Sequence, residues 1–277
     1  MTEFLLEMTS VSLALGSGAD RTDALIDINL DIAAGELVAI TGRSGCGKSS
    51  LLNVAGGLVP PSAGTVLVAG TDLSALSKRE LSARRRRSVG FVFQDLNLLT
   101  TLTAAENVSL PLELDRVSPK KARQLALAAL ESVELGDLGS RFPDELSGGQ
   151  RQRVAIARGL VGDRKLLLAD EPTGALDEVT AEGVMHILRQ QCDAGAATLL
   201  VTHDPALAAW ADRVVKLRDG RIDSVTAKPP AMTDLPGFGH ASHAAGDLYG
   251  DDLYGDDLYG DDPHANNDIA TPPGATP

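Results

Sequence analysis

Glu36-Leu-Val-Ala-Ile-Thr41, running straight into Gly42-Arg43-Ser44-Gly45-Cys46-Gly47-Lys48-Ser49-Ser50, is the stretch on which the reading of this chain turns. The first six residues include a run of apolar side chains without polar alternation. That is the pattern of a strand covered on both faces, as in a parallel sheet. The residues that follow fit G-x-x-x-x-G-K-[ST] in the context the motif requires. Glycines at 42, 45 and 47 let the backbone curl until its N–H groups point at phosphate oxygens. A helix expected from Lys48 to about Val54 aims its positive end at the same anion. Lys48 brings a charge to the β- and γ-phosphates, and the Ser49 hydroxyl is placed for Mg²⁺. Cys46 reads as a small residue at a variable loop position rather than a redox thiol, since no neighbour marks it as a low-pKa thiolate.

A second stretch completes the chemistry. Leu166-Leu-Leu-Ala-Asp170-Glu171 is an apolar strand that delivers two carboxylates to the C-terminal edge of a sheet, where ligands of α/β proteins gather. Asp170 is the candidate Mg²⁺ ligand, acting through water. Glu171 is then free to polarise an attacking water, a task worth about 10²–10⁴ in rate. Thr198-Leu-Leu-Val-Thr202 is a third buried strand.

Between these strands the apolar period changes to that of helices. Ser118-Pro119 is a cap followed by proline at the first helical position, with Ala122, Leu125, Ala129 and Val133 as the expected apolar face. Val154, Ala157 and Val161 repeat that spacing, and Arg218-Asp219-Gly220-Arg221 reads as a hairpin turn. The fold class expected is α/β: a nucleotide-binding core with a mostly parallel sheet and some antiparallel decoration.

Leu146-Ser147-Gly148-Gly149-Gln150 narrows the field. Over about residues 4–225 the chain resembles the ABC ATPase family. Phe91-Val-Phe-Gln94 looks like its Q-loop, Gly174-Ala-Leu-Asp177 like its D-loop and Val201-Thr-His203-Asp204 like its H-loop. The resemblance implies an N-terminal antiparallel β subdomain and a helical subdomain bearing the signature. It also implies a head-to-tail dimer, in which ATP lies between one chain's phosphate loop and the other chain's Ser147–Gln150. Within it His203 would contact the γ-phosphate, Gln94 would sense Mg²⁺ and the water, and Asp177 would face the shared nucleotide. The physical sense is that Ser147, Gly148 and Gly149, opening a helix, form a second anion site.

Asp170-Glu-Pro-Thr-Gly-Ala-Leu-Asp177, Phe93-Gln-Asp-Leu-Asn-Leu-Leu99 and Asn107-Val-Ser-Leu-Pro-Leu112 look most like the MacB/LolD/FtsE group. That likeness implies a separate integral-membrane permease of FtsX/MacB type, driven for export, lipoprotein release or antimicrobial resistance. The alternative is a signalling role toward cell-wall or division machinery. The family often carries an aromatic residue that stacks on adenine. Its place here falls near Leu15, in Val11-Ser-Leu-Ala-Leu-Gly16, which has none.

Composition sets the outer bounds. The chain has 277 residues and a formal charge of -13, of which the segment 228–277, with nine Asp and one Lys, carries -8. A basic domain, the mark of nucleic-acid binding, is missing. Two cysteines do not make a disulfide framework. Met1-Thr-Glu-Phe-Leu-Leu-Glu-Met8 does not read as a secretory signal. No apolar run approaches the roughly 20 residues that cross a bilayer. The expected location is therefore cytoplasmic, peripheral on the membrane's inner face through a partner.

The chain divides into a nucleotide-binding domain, 1–227, and an acidic tail, 228–277, whose Asp-Leu-Tyr-Gly-Asp repeats argue for disorder. His240 and His243 in that tail read as free histidines, and Trp210 and His186 as packing residues. Arg84-Arg-Arg-Arg87 reads as a solvated or salt-bridged helix end.

Overall fold

The computed structural model describes residues 3–18, 21–174 and 176–227. The readings of the 228–277 tail, of His240 and of His243 lie outside the described residues.

The elements in chain order are β1 (Phe4–Leu15), β2 (Thr22–Ala33), β3 (Leu37–Thr41), α1 (Lys48–Ala55), β4 (Ala63–Val68) and β5 (Thr71–Asp72). Next come α2 (Lys78–Ser88), β6 (Val89–Val92), α3 (Ala104–Leu114), α4 (Pro119–Ser132), α5 (Gly148–Leu160) and β7 (Leu166–Asp170). The last are α6 (Glu178–Asp193), β8 (Ala197–Val201), α7 (Pro205–Ala208), β9 (Arg213–Arg218) and β10 (Arg221–Ala227). They form two sheets. One is antiparallel, in the order β2-β1-β4-β5, and the other has six strands in the order β10-β9-β3-β8-β7-β6. In the second sheet β3 pairs in parallel with β8 and β9, and β7 with β6 and β8, while β10 closes the edge antiparallel to β9.

The absence of polar alternation in β3, β7 and β8 has its physical reason in two cores, one on each face. Val38, Ile40, Leu166, Leu168, Leu199 and Val201 pack beneath α1 and the antiparallel sheet. Their neighbours Leu37, Ala39, Leu167, Ala169 and Leu200 pack against the helices on the other side. A strand residue pointing either way therefore meets apolar atoms. This confirms the expected α/β core with an antiparallel β layer and a helical layer built from α3, α4 and α5.

One local expectation needs adjusting. In α4 the buried face is Ala122, Ala126 and Leu130, continued by Val133, whereas Leu125 is exposed and Ala129 half-buried. Steps of four and three along the small side chains let α4 approach α3 closely, and the larger Leu125 falls on the flank. The arginine run at 84–87 is, as expected, a salt-bridged helix end, and two of its arginines also bond backbone carbonyls. Arg84 donates to the Val68 and Ala69 carbonyls, Arg85 to that of Gly57, and Arg87 pairs with Asp115 at 2.6 Å. Both central residues of the 218–221 turn have positive φ, 48° at Asp219 and 74° at Gly220, the twist a two-residue hairpin needs. His186 packs edge-on against Trp210, with centroids 4.6 Å apart.

Candidate active site

The phosphate loop fills the gap between β3 and α1 because its sequence tolerates backbone that other residues do not. Gly42, Gly45 and Gly47 have φ of 148°, 78° and 105°. A Cβ on Gly42 would collide with the Leu217 carbonyl, and one on Gly47 with that of Ala24. The loop is therefore seated against β9 and β2 at a distance only glycine permits. Lys48 folds back across it, its Nζ donating to the carbonyls of Gly42 at 2.8 Å and Arg43 at 3.0 Å. Cys46 is buried beneath the loop, as a small packing residue would be.

Beside the loop lies a cleft of about 1080 Å³. Of the residues expected from sequence, Gly42, Ser44, Gly45, Gly47, Lys48, Ser49, Ser50, Gln94, Asp170, Glu171 and His203 all line it. Arg43 and Cys46 belong to the loop but not to the wall. Leu15, at the place expected for a base-stacking aromatic residue, lines the cleft at 46% exposure.

Glu171 and His203 meet at the ends of adjacent strands β7 and β8. Glu171 sits at a φ of 48°, a conformation costly for a residue with a side chain, with its N–H donating to the Val201 carbonyl at 3.0 Å. Its Oε1 lies 2.8 Å from His203 Nδ1. The carboxylate is 17% exposed and the imidazole 78%. The hydrogen bond that His203 donates to Glu171 raises the His203 pKa above the ordinary histidine value, the charges of Glu171 and Asp204 add to this, and partial desolvation and Lys48 oppose it.

The segment after Gln94 is fixed by two side chains. Arg158 donates to the carbonyls of Asn97 and Leu96, both at 2.6 Å. Fully buried Asn107 accepts from the Leu99 N–H at 2.8 Å and presents its amide 3.0 Å from the carbonyls of Leu99, Leu102 and Thr103.

The cleft does not gather Ser147, Gly148, Gly149, Gln150 or Asp177. Ser147 caps α5 reciprocally, its Oγ accepting from the Gln150 N–H at 3.2 Å while its own N–H reaches Gln150 Oε1 at 2.9 Å. The helix therefore begins squarely at the exposed Gly148. Asp177 caps α6 by accepting from the Thr180 N–H and hydroxyl, bonds that hold its carboxyl below the usual range, the N–H first.

Sequence reasoning missed several wall residues. Thr22, Asp23 and Ala24 enter through the start of β2, and Asp219 and Gly220 through the β9–β10 turn. Nothing in their local pattern marks them. Gln152 did leave a trace, as a polar residue on the apolar side of α5. It is buried and donates to the Pro172 carbonyl at 2.5 Å, linking the signature helix to the turn after Glu171.

Backbone donors at a helix start, a lysine and a strand-end carboxylate pair in one cleft define a nucleoside-triphosphatase of the phosphate-loop class. The family described as "ABC transporter" matches residues 25–174. The macrolide export ATP-binding/permease protein MacB of Salmonella typhimurium is 47% identical over 228 residues, which is 82% of this chain and 35% of that protein. MacB of Neisseria gonorrhoeae is 43% identical over the same shares. Among solved structures, the ATP-binding cassette MJ0796 in a dimeric, post-hydrolysis state bound to ADP and Pi aligns with a TM-score of 0.76 at 39% identity, covering 80% of this chain and 98% of that one.

The chain belongs to the ABC transporter family and is an ATP-binding, ATP-hydrolysing cassette. It spans about a third of the length of the MacB relatives.

Proposed function

We propose that two copies of this cassette, or this one and a paired ATPase subunit, close head to tail on ATP and so drive a membrane permease of MacB type in export. The observation that carries this reading is the split of the motifs. The cleft collects the phosphate loop, Asp170, Glu171, Gln94 and His203, while Ser147–Gly149 at the start of α5 are not among its wall residues. A helix start with an exposed glycine at 148 suits a second chain's phosphates.

In this reading Gly42–Ser50 wrap the phosphates and Lys48 exchanges its loop carbonyls for phosphate oxygens. Ser49, Asp170 and Gln94 fit Mg²⁺. They are hard oxygen donors, and no group of three or more His, Cys, Asp or Glu suited to a metal occurs among the described residues. That matches an ion bound by few carboxylates plus substrate phosphates. When bound, the ion would offset charge on the β- and γ-phosphates. Glu171 is the base: it is held at the strand end, pinned by His203, and can accept a proton from an attacking water. His203 orients it and faces the γ-phosphate. Asp177 and Ser147–Gln150 complete the site from across the dimer.

No helix among the described residues is long and apolar enough to cross a membrane. Anchoring through a permease, on the cytoplasmic side, is consistent with that. MacB of Salmonella typhimurium is an export ATP-binding/permease protein, and this chain aligns with 35% of it. The domain division at residue 227 is part of the same proposal.

The test is Glu171→Gln. It should keep ATP affinity within about threefold, lower turnover by about 10²–10⁴, and trap an ATP-dependent dimer on size exclusion. Wild-type turnover in that variant would remove Glu171 from the role of base.

A further inference from the structure

A second cavity, of about 390 Å³, opens between α2, the C-terminal end of α3 and the turn joining α5 to β7. It is separate from the nucleotide cleft and shares none of its lining residues. Arg84, Arg86 and Arg87 reach it from α2, and Arg164 and Lys165 from the turn. Its acids are Asp115 and Asp163, so the wall carries a formal excess of three positive charges. Both acids are already engaged: Asp115 with Arg87 at 2.6 Å, and Asp163 with Lys165 at 3.7 Å.

What sets this wall apart from a surface ion-pair patch is its unmet donors. Arg164 is 92% buried, being only 8% exposed, and its Nε has no hydrogen-bond partner among the described residues. The Nε atoms of the half-buried Arg84 and Arg86 also have no partner among the described residues, nor has that of Arg153 outside this cavity, while Arg84 is already satisfied in part through the Val68 and Ala69 carbonyls. Burying a guanidinium without an acceptor is costly, and proteins pair such groups. Desolvation lowers the Arg164 pKa, and only the charge of Asp115 pulls the other way.

Converging guanidinium groups match a tetrahedral anion with several acceptor oxygens better than a single carboxylate. We propose that this cavity is a second anion site that takes a phosphate group, with Arg86 and Arg164 as its principal ligands. Two sources carry such a group: a small soluble phosphate or pyrophosphate, and the headgroup of an anionic phospholipid. The shared recognition is of the phosphate oxygens.

The experiment uses the full chain carrying Lys48→Ala, which weakens the phosphate loop and leaves the second cavity intact. Calorimetry with pyrophosphate forms one arm. Co-sedimentation with vesicles of phosphatidic acid in phosphatidylcholine, against phosphatidylcholine alone, forms the other. Binding in either arm should fall at least tenfold when Arg86→Gln and Arg164→Gln are added, and the arm that responds identifies the source.

Arg164→Met guards against a folding artefact. If the arginine serves a ligand, this variant melts at or above the parent temperature without anion and loses the anion-dependent rise in melting temperature. If the arginine is only structural, it melts lower and keeps that rise. Absence of binding in both arms, or binding unchanged by the arginine substitutions, overturns the proposal. So does a lowered melting temperature with the anion-dependent rise intact.

Discussion

The pairing of Glu171 with His203 has a consequence that can be measured at one atom. Because the carboxylate raises the imidazole pKa, His203 should titrate above an ordinary histidine in an NMR pH series. Glu171→Gln should bring it back toward the ordinary value. The sign of the linked stability follows. A group whose pKa is raised on folding stabilises the fold fully below its unfolded pKa, and that contribution is lost as pH rises through the folded value. With the imidazole mostly in solvent, screening keeps the effect small. An unshifted titration in the wild-type chain would mean that the 2.8 Å contact does not persist in solution.

Leu15 makes the other residue-scale prediction. An aromatic in contact with a base is worth roughly 1–3 kcal/mol, and a leucine at the lip supplies no such stacking. ATP and GTP should therefore bind within about a hundredfold of each other, roughly 2.7 kcal/mol, by competition with a labelled nucleotide. A larger preference for ATP would show that another residue reads the base.

Among the elements, the loop between Gln94 and α3 depends on two side chains, Asn107 and Arg158. Asn107→Ala would strip the Leu99 N–H and three carbonyls of their buried partner. Stability should drop by about 1–3 kcal/mol in urea denaturation, with nucleotide affinity at the phosphate loop little changed. A loss below about 0.5 kcal/mol, the size of an ordinary surface change, would mean that Arg158 alone holds the loop.

The same scale shows what the sequence disclosed and what it hid. The strands β3, β7 and β8 were legible because residues facing either way are apolar, and the phosphate loop because Gly42, Gly47 and Lys48 are each required by backbone geometry or charge. The wall formed by Thr22–Ala24 was not legible, and Gln152 left only the trace of a polar residue on an apolar helix face. They depend on how β2 and α5 dock against other elements, and tertiary placement leaves no local period. Leu125 misled for a related reason: apolar spacing gives a stripe, but the small alanines decide which side of it can approach α3.

At the scale of the whole molecule, the order of motifs in the chain and their order in space part company. Ser147–Gln150 stands in sequence between Gln94 and Asp170, yet it is excluded from the cleft that both of those line. In the proposed reading such a cassette is half of a site, and a second copy completes it.

Mixing two inactive chains tests that directly. Gly148→Asp puts negative charge at the start of α5 and should abolish hydrolysis while leaving the phosphate loop able to bind ATP. Lys48→Ala should abolish hydrolysis from the other side. Each alone is expected to be inactive. Together, a heterodimer holds one composite site with an intact phosphate loop and an intact facing signature, so ATP turnover should reappear on mixing. Full activity of Gly148→Asp by itself, or no recovery in a mixture shown to contain heterodimers, would contradict the head-to-tail account.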